Sequence, residues 1–249
     1  MTGKDDLMMK AAYKGGIVFF MILAMIMVGM DTAEAGEVRI PEPLSNTVKL
    51  DSDDENQKGI ELQPGVSAED ITAQLGMITG EGHGLTPEYL AKTPTRIQAA
   101  VMFLRLKGLE QTALNYQGKD NFSDADEAPW AASILAYLKA HPELGFQGIG
   151  NNKFNPNGKI TAQAYYKILL ETLGYTYDED FKWDNTMEFA ESLGLGRVAE
   201  AYEFTVSDLA VATVEVLSVK MKGSEKTLLQ ALMEQNVIDD ELLSSITQP

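Results

Sequence analysis

Apolar residues along this chain recur at the spacing of a helix rather than a strand, and one helical signal returns twice after its first appearance. Thr95 opens the first run, in which Ile97, Ala100, Val101 and Leu104 fall on one face, and Gly108 closes it. Thr161 opens the second, whose face carries Tyr165, Ile168 and Leu169, and Gly174 closes that one. The third opens at Thr205 and runs to Ser218 with no closing glycine. Threonine before such a run offers a hydroxyl to the unpaired first-turn N–H groups. Glycine just past the end takes the left-handed conformation that stops the helix.

Shorter helical signals stand between the long ones. Ser67-Ala68-Glu69-Asp70 is a capping sequence, followed by Ile71 and Leu75 one turn apart and a stop at Gly76 or Gly80. Gly80 to Gly84, which includes His83, reads as a turn-rich loop, and Thr86-Pro87 starts another turn of helix. Trp130, Ile134 and Leu138 are spaced to share a helical face, as are Trp183, Met187 and Ala190. A last segment from Thr227 to Gln235 places Leu228 and Leu232 one turn apart and stops at Asn236. The loop from Gly148 to Ile160 is rich in glycine and asparagine, which tolerate positive φ, while Phe154 and Ile160 are placed to plug it into a core. The pattern predicts a mainly α protein built of helix-loop-helix units.

The N-terminus is of another kind. Lys4, Lys10 and Lys14 precede an apolar run from Gly15 to Met30 and the small-residue site Ala33-Glu34-Ala35. This is the layout of a signal peptide over residues 1–35, cleaved before Gly36, and its run is shorter than the roughly 20 residues that span a bilayer. Retention of the segment as a membrane anchor is the alternative. Residues 36–59 hold Pro41, Pro43 and the acidic cluster Asp51, Asp53, Asp54 and Glu55 without apolar periodicity, and read as a solvated linker.

Composition narrows the function. A net charge of -17 over 249 residues argues against nucleic acid as a partner, since phosphates call for clustered Lys and Arg. With no cysteine there is no disulfide framework, thiolate metal site or cysteine nucleophile, and two histidines exclude a multi-histidine metal centre. Asn155, Asn157 and Gly158 imitate part of a calcium loop, but Lys153 and Ala164 stand where carboxylates are needed, so no metal is expected there. Gly148 to Gly158 has neither P-loop nor dinucleotide spacing, and no cofactor is expected. No placed nucleophile, base and stabiliser stand out, so the chain does not read as an enzyme.

The ordered set Phe122-Ser123-Asp124, Trp130, Gly150, Phe154-x-Pro156-x-Gly158-x-Ile160-Thr161 and Leu173-Gly174 resembles the S-layer homology (SLH) family of cell envelopes. The resemblance covers three degenerate repeats at 60–118, 119–176 and 177–222, with 223–249 as a helical extension. It implies a pseudo-threefold bundle of tandem SLH-like repeats that binds secondary cell-wall polysaccharide, often pyruvylated, in grooves between repeats. The family's binding signature is a Thr-Arg-Ala-Glu type tetrapeptide opening the long helix. Thr95-Arg96-Ile97-Gln98 matches it in the first repeat, with Gln98 where the family has glutamate. Ala162 and Val206 replace the arginine in the other two. An arginine there pairs a bidentate donor with exposed helix N–H groups for an anionic sugar.

The candidate polysaccharide-binding residues are thus Thr95, Arg96, Gln98, Asp124 and Trp130. Plainer readings stand beside each of them. Thr95 and Gln98 form a capping box, Arg96 is then a first-turn arginine, Asp124 caps its helix, and Trp130 and Trp183 anchor the core. The expected function is that of an exported, noncatalytic cell-wall or cell-surface protein, with other envelope proteins as further partners. The alternative is a membrane-anchored structural or protein-interaction module that has lost polysaccharide binding.

Overall fold

The computed structural model describes residues 66–239 except His83, together with Glu241 and Ser244. The expected signal segment and acidic linker over residues 1–59, residues 60–65, His83 and most of the chain beyond 239 lie outside the described residues.

The described part is mainly helical, as the periodicity predicts. Its α-helices are α1 (Ala68–Gln74), α2 (Pro87–Leu90), α3 (Arg96–Leu106), α4 (Glu110–Leu114), α5 (Ala132–Ala140), α6 (Ala162–Thr172), α7 (Thr186–Ser192), α8 (Val206–Leu217) and α9 (Leu228–Glu234). Extended pairing among the described residues is confined to isolated bridges, one of which joins Thr95 to Lys159.

Threonine hydroxyls start the long helices. Those of Thr95, Thr161 and Thr205 accept the N–H of Gln98 at 3.3 Å, Ala164 at 3.2 Å and Asp208 at 3.2 Å. Each cap stabilises its helix by about 1 kcal/mol. Gly108 and Gly174 take φ of 67° and 93° just past α3 and α6, the conformation that stops them. At the end of α9 the turn is made by Asn236, at φ 57°, one residue beyond the cap at Gln235. Ser67 and Thr86 cap α1 and α2 as their sequences predict.

Phe103, Leu104, Tyr165, Leu169, Leu209 and Val216 are buried on α3, α6 and α8, in one continuous apolar core. Around it α1 packs on α8, α4 on α5, and α6 on both α7 and α8. Phe154 and Ile160, at 0% and 2% exposure, plug the Gly148–Ile160 loop into this core. No helix among the described residues is long and apolar enough to cross a membrane.

One expectation fails at this level. Trp130 and Trp183 do not anchor the core: they are 62% and 42% exposed. Both lie in 3-10 turns, Pro129–Ala131 and Trp183–Asn185, that precede α5 and α7 rather than in the helices themselves. In the first turn Ala128 and Ala131 are buried, and Trp130 between them points outward. Helix α4 goes unannounced in the sequence, because its N-cap Leu109 has no side-chain oxygen.

Candidate functional site

The start of α3 meets the loop that leads into α6. Arg96 donates its backbone N–H to Gly158 at 2.8 Å and Ile97 donates to Pro156 at 3.2 Å, while Ile160 donates back to Pro94 at 3.1 Å. The Arg96 side chain follows the same path: Nε donates to the Phe154 carbonyl at 2.9 Å, and the guanidinium carbon stands 5.0 Å from the Phe154 ring centroid. Among the described residues no hydrogen bond is recorded for either Nη, and Arg96 as a whole is half-buried.

Asp124 holds this loop in place. Its Oδ1 accepts from Phe154 N–H and its Oδ2 from Asn155 N–H, both at 2.9 Å, in a setting where the residue is 6% exposed. The expectation that Asp124 caps a helix is corrected, because the 3-10 turn after it receives no side-chain cap bond. Its local N–H groups lose the competition to two donors some thirty residues away. Ser123 adds a bond from its hydroxyl to the Asn152 carbonyl at 3.0 Å, and Asn157 Nδ2 donates to Glu127 at 2.9 Å. Trp130 lies three positions beyond Glu127 and is open to solvent.

Thr95 and Gln98 are drawn together with Arg96, but as a reciprocal capping box. Gln98 Oε1 accepts Thr95 N–H at 2.9 Å in return for the hydroxyl bond. This also corrects the expectation of free helix N–H groups for an anion. The first three N–H groups of α3 go to Gly158, Pro156 and Thr95, so the guanidinium is the cationic feature this helix start presents. The contribution of Phe154 is missed in the sequence, where only its apolar side chain is legible.

The corresponding starts of α6 and α8 are built differently. Gln163 Nε2 donates to the Trp183 carbonyl at 2.6 Å, and Ala162 fills the arginine position. Val206 N–H donates to Lys92 at 2.8 Å, and the Ser207 hydroxyl bonds the Glu69 carboxylate. Each long-helix start therefore touches a different segment of the chain, α3 the 154–158 loop, α6 the turn at Trp183 and α8 the residues around α1 and Lys92. The 147–153 stretch also walls a pocket of about 180 Å³ with Phe122, Leu138 and Lys139. Lys139 is committed to Asp120 at 2.6 Å and to the Asn121 carbonyl at 2.7 Å.

Burial and the loop N–H groups set the charge states here. Burial alone would raise the Asp124 carboxyl, but the N–H groups of Phe154 and Asn155 outweigh it and hold the group below its ordinary value. Burial pulls the Arg96 guanidinium below its usual range, against the charge of Asp124, and it stays cationic at neutral pH. A depressed carboxyl contributes stability that is complete above its unfolded pKa and drains away as pH falls through the folded value. Wild-type protein is therefore expected to lose stability below about pH 4. Asp124→Asn should flatten that part of a urea-denaturation profile measured from pH 2 to 6.

No family model matches the chain. Over 114 residues, 45% of its length, it is 30% identical to the middle cell wall protein of Brevibacillus brevis. Over an equal stretch it is 29% identical to the surface layer protein of Brevibacillus choshinensis. The match takes in 10% of each of these proteins, so the chain corresponds to a small part of its curated relatives. Both relatives are, by name, proteins of the bacterial wall or surface layer.

Proposed function

We propose that the chain is an exported, noncatalytic cell-envelope protein of three degenerate SLH-like repeats, which associates with secondary cell-wall polysaccharide chiefly through Arg96. The observation that carries the reading is the seating of Arg96: the arginine that opens α3 lies on Phe154 of the loop leading into α6, with Nε on the Phe154 carbonyl and no hydrogen bond recorded for either Nη among the described residues. On the proposed repeat bounds this lies between repeats, and a guanidinium so held suits the carboxylate of an acidic sugar. The wall and surface-layer relatives support an envelope role. The way the starts of α3, α6 and α8 each meet another segment supports the pseudo-threefold arrangement of repeats. Exposed Trp130 adds a flat apolar face of the kind on which sugar rings stack.

Sedimentation of the mature protein with purified wall sacculi tests this. Wild type should pellet, and Arg96→Ala should weaken binding by about tenfold or more, the cost of a lost charge-assisted hydrogen-bonded pair. Chemical removal of ketal pyruvate from the sacculi should have the same effect on wild type. Wild-type protein that stays in the supernatant sinks the polysaccharide reading. Co-purification with envelope proteins together with an intact mass that retains residues 1–35 would then establish the anchored interaction module.

A further inference from the structure

We propose that Asp124 is a positioning residue that presents Arg96 end-on, so that only its two Nη groups are offered to a ligand; this rests on the reading of Arg96 as the wall-binding residue. Asp124 commits each carboxylate oxygen to one of two consecutive N–H groups, those of Phe154 and Asn155, at 2.9 Å. Two parallel bonds fix the loop backbone there, and Asn155 is held at φ 59°, a conformation asparagine tolerates better than most residues. Phe154 is thereby fixed at both functional points. Its carbonyl takes Arg96 Nε, and its ring, at 0% exposure, cannot swing away from the guanidinium.

The consequence is a restriction on ligand geometry. A guanidinium pairs with a carboxylate in two flat ways, side-on through Nε and one Nη or end-on through both Nη groups. With Nε already bonded to Phe154, the side-on approach is closed. A sugar carboxylate approaching in the guanidinium plane meets the two Nη groups alone. Asp124 itself is buried and its oxygens are occupied, so it acts on the ligand through Phe154 and Arg96 rather than by contact.

Side-chain NMR of arginine-labelled mature protein tests the arrangement without relying on wall binding. In wild type the Arg96 Nε–H should exchange with solvent about tenfold or more slowly than that of free arginine under the same conditions, and Asp124→Ala should abolish the difference. Asp124→Asn, which keeps the side-chain volume, serves as the second variant and should speed the same exchange. In sacculus binding Asp124→Asn should weaken affinity by about tenfold in the wild-type background and add nothing in Arg96→Ala protein. Unchanged Nε–H exchange in both Asp124 variants overturns the proposal, as do losses that multiply when the two substitutions are combined. Wild-type protein that ignores sacculi overturns the wall reading alone, because the exchange rates still decide the role of Asp124.

Discussion

Glu215→Ala should lower the stability of the folded protein by about 3–5 kcal/mol, one of the largest single-residue effects expected here. Glu215 lies on α8 between Val214 and Val216, is 6% exposed, and accepts three hydrogen bonds from outside its own helix. The Tyr166 hydroxyl on α6 donates at 2.8 Å, and the backbone N–H groups of Gly196 and Arg197 donate at 3.1 and 3.0 Å. Arg197 Nε stands 3.6 Å away as its charged partner. Truncation strands a buried tyrosine hydroxyl and two backbone donors and leaves a void where the carboxylate was. Glu215→Gln retains an acceptor for Tyr166 and should cost about 1–2 kcal/mol, so the pair of variants in urea denaturation separates lost donors' partners from lost charge. Equal losses in the two would show that charge, not hydrogen-bond satisfaction, dominates. Burial pushes the Glu215 carboxyl above its ordinary value despite its donors, so its contribution is complete at low pH and declines as pH rises through the folded value.

This cluster marks the boundary of what the sequence discloses. A lone acid in the apolar run Val211 to Leu217 is a visible anomaly, yet its partners come from α6 and from a glycine turn, neither within one helical turn of it. The features that can be read in advance are local. A threonine hydroxyl reaches an N–H three residues on, and a glycine with positive φ ends the helix it follows, so the edges of α3 and α6 are legible from a few letters. Trp130 shows the limit of periodicity. Spacing with Ile134 and Leu138 places it on a buried face only if the helix already runs through it, and here Pro129 opens a 3-10 turn first.

At the candidate site the same division holds. The capping box of Thr95 and Gln98 is a local motif, whereas the occupation of the Arg96 and Ile97 N–H groups by Gly158 and Pro156 depends on a segment some sixty residues later. Sequence pattern alone gives α3 an open, anion-ready N-terminus. The folded chain closes it with carbonyls and leaves the guanidinium as the cationic donor. On the proposed function a ligand here would be held by one side chain whose orientation is set elsewhere, which is why Ala162 and Val206 at the matching positions carry so much weight.

Phe154→Ala is expected to cost about 3–5 kcal/mol in stability and to remove most wall binding in the same substitution. The ring is fully buried, 5.2 Å from Phe122 and 6.4 Å from Phe146 by centroids, and it forms the bed under Arg96. Truncation opens a cavity between the Phe122 and Phe146 rings and frees the guanidinium at once, so stability and binding should fall together. Phe154→Leu divides the two effects. It preserves most of the packing and the carbonyl that accepts Arg96 Nε, but removes the π face, worth about 0.5–2 kcal/mol to a cation. Thermal denaturation of Phe154→Leu should show a smaller loss than Phe154→Ala, while sacculus binding weakens by about two- to thirtyfold. Leucine protein that is stable and binds as well as wild type would mean that the carbonyl alone orients Arg96. Alanine protein that loses binding while keeping wild-type stability would mean that the aromatic cluster contributes no core, contrary to its burial.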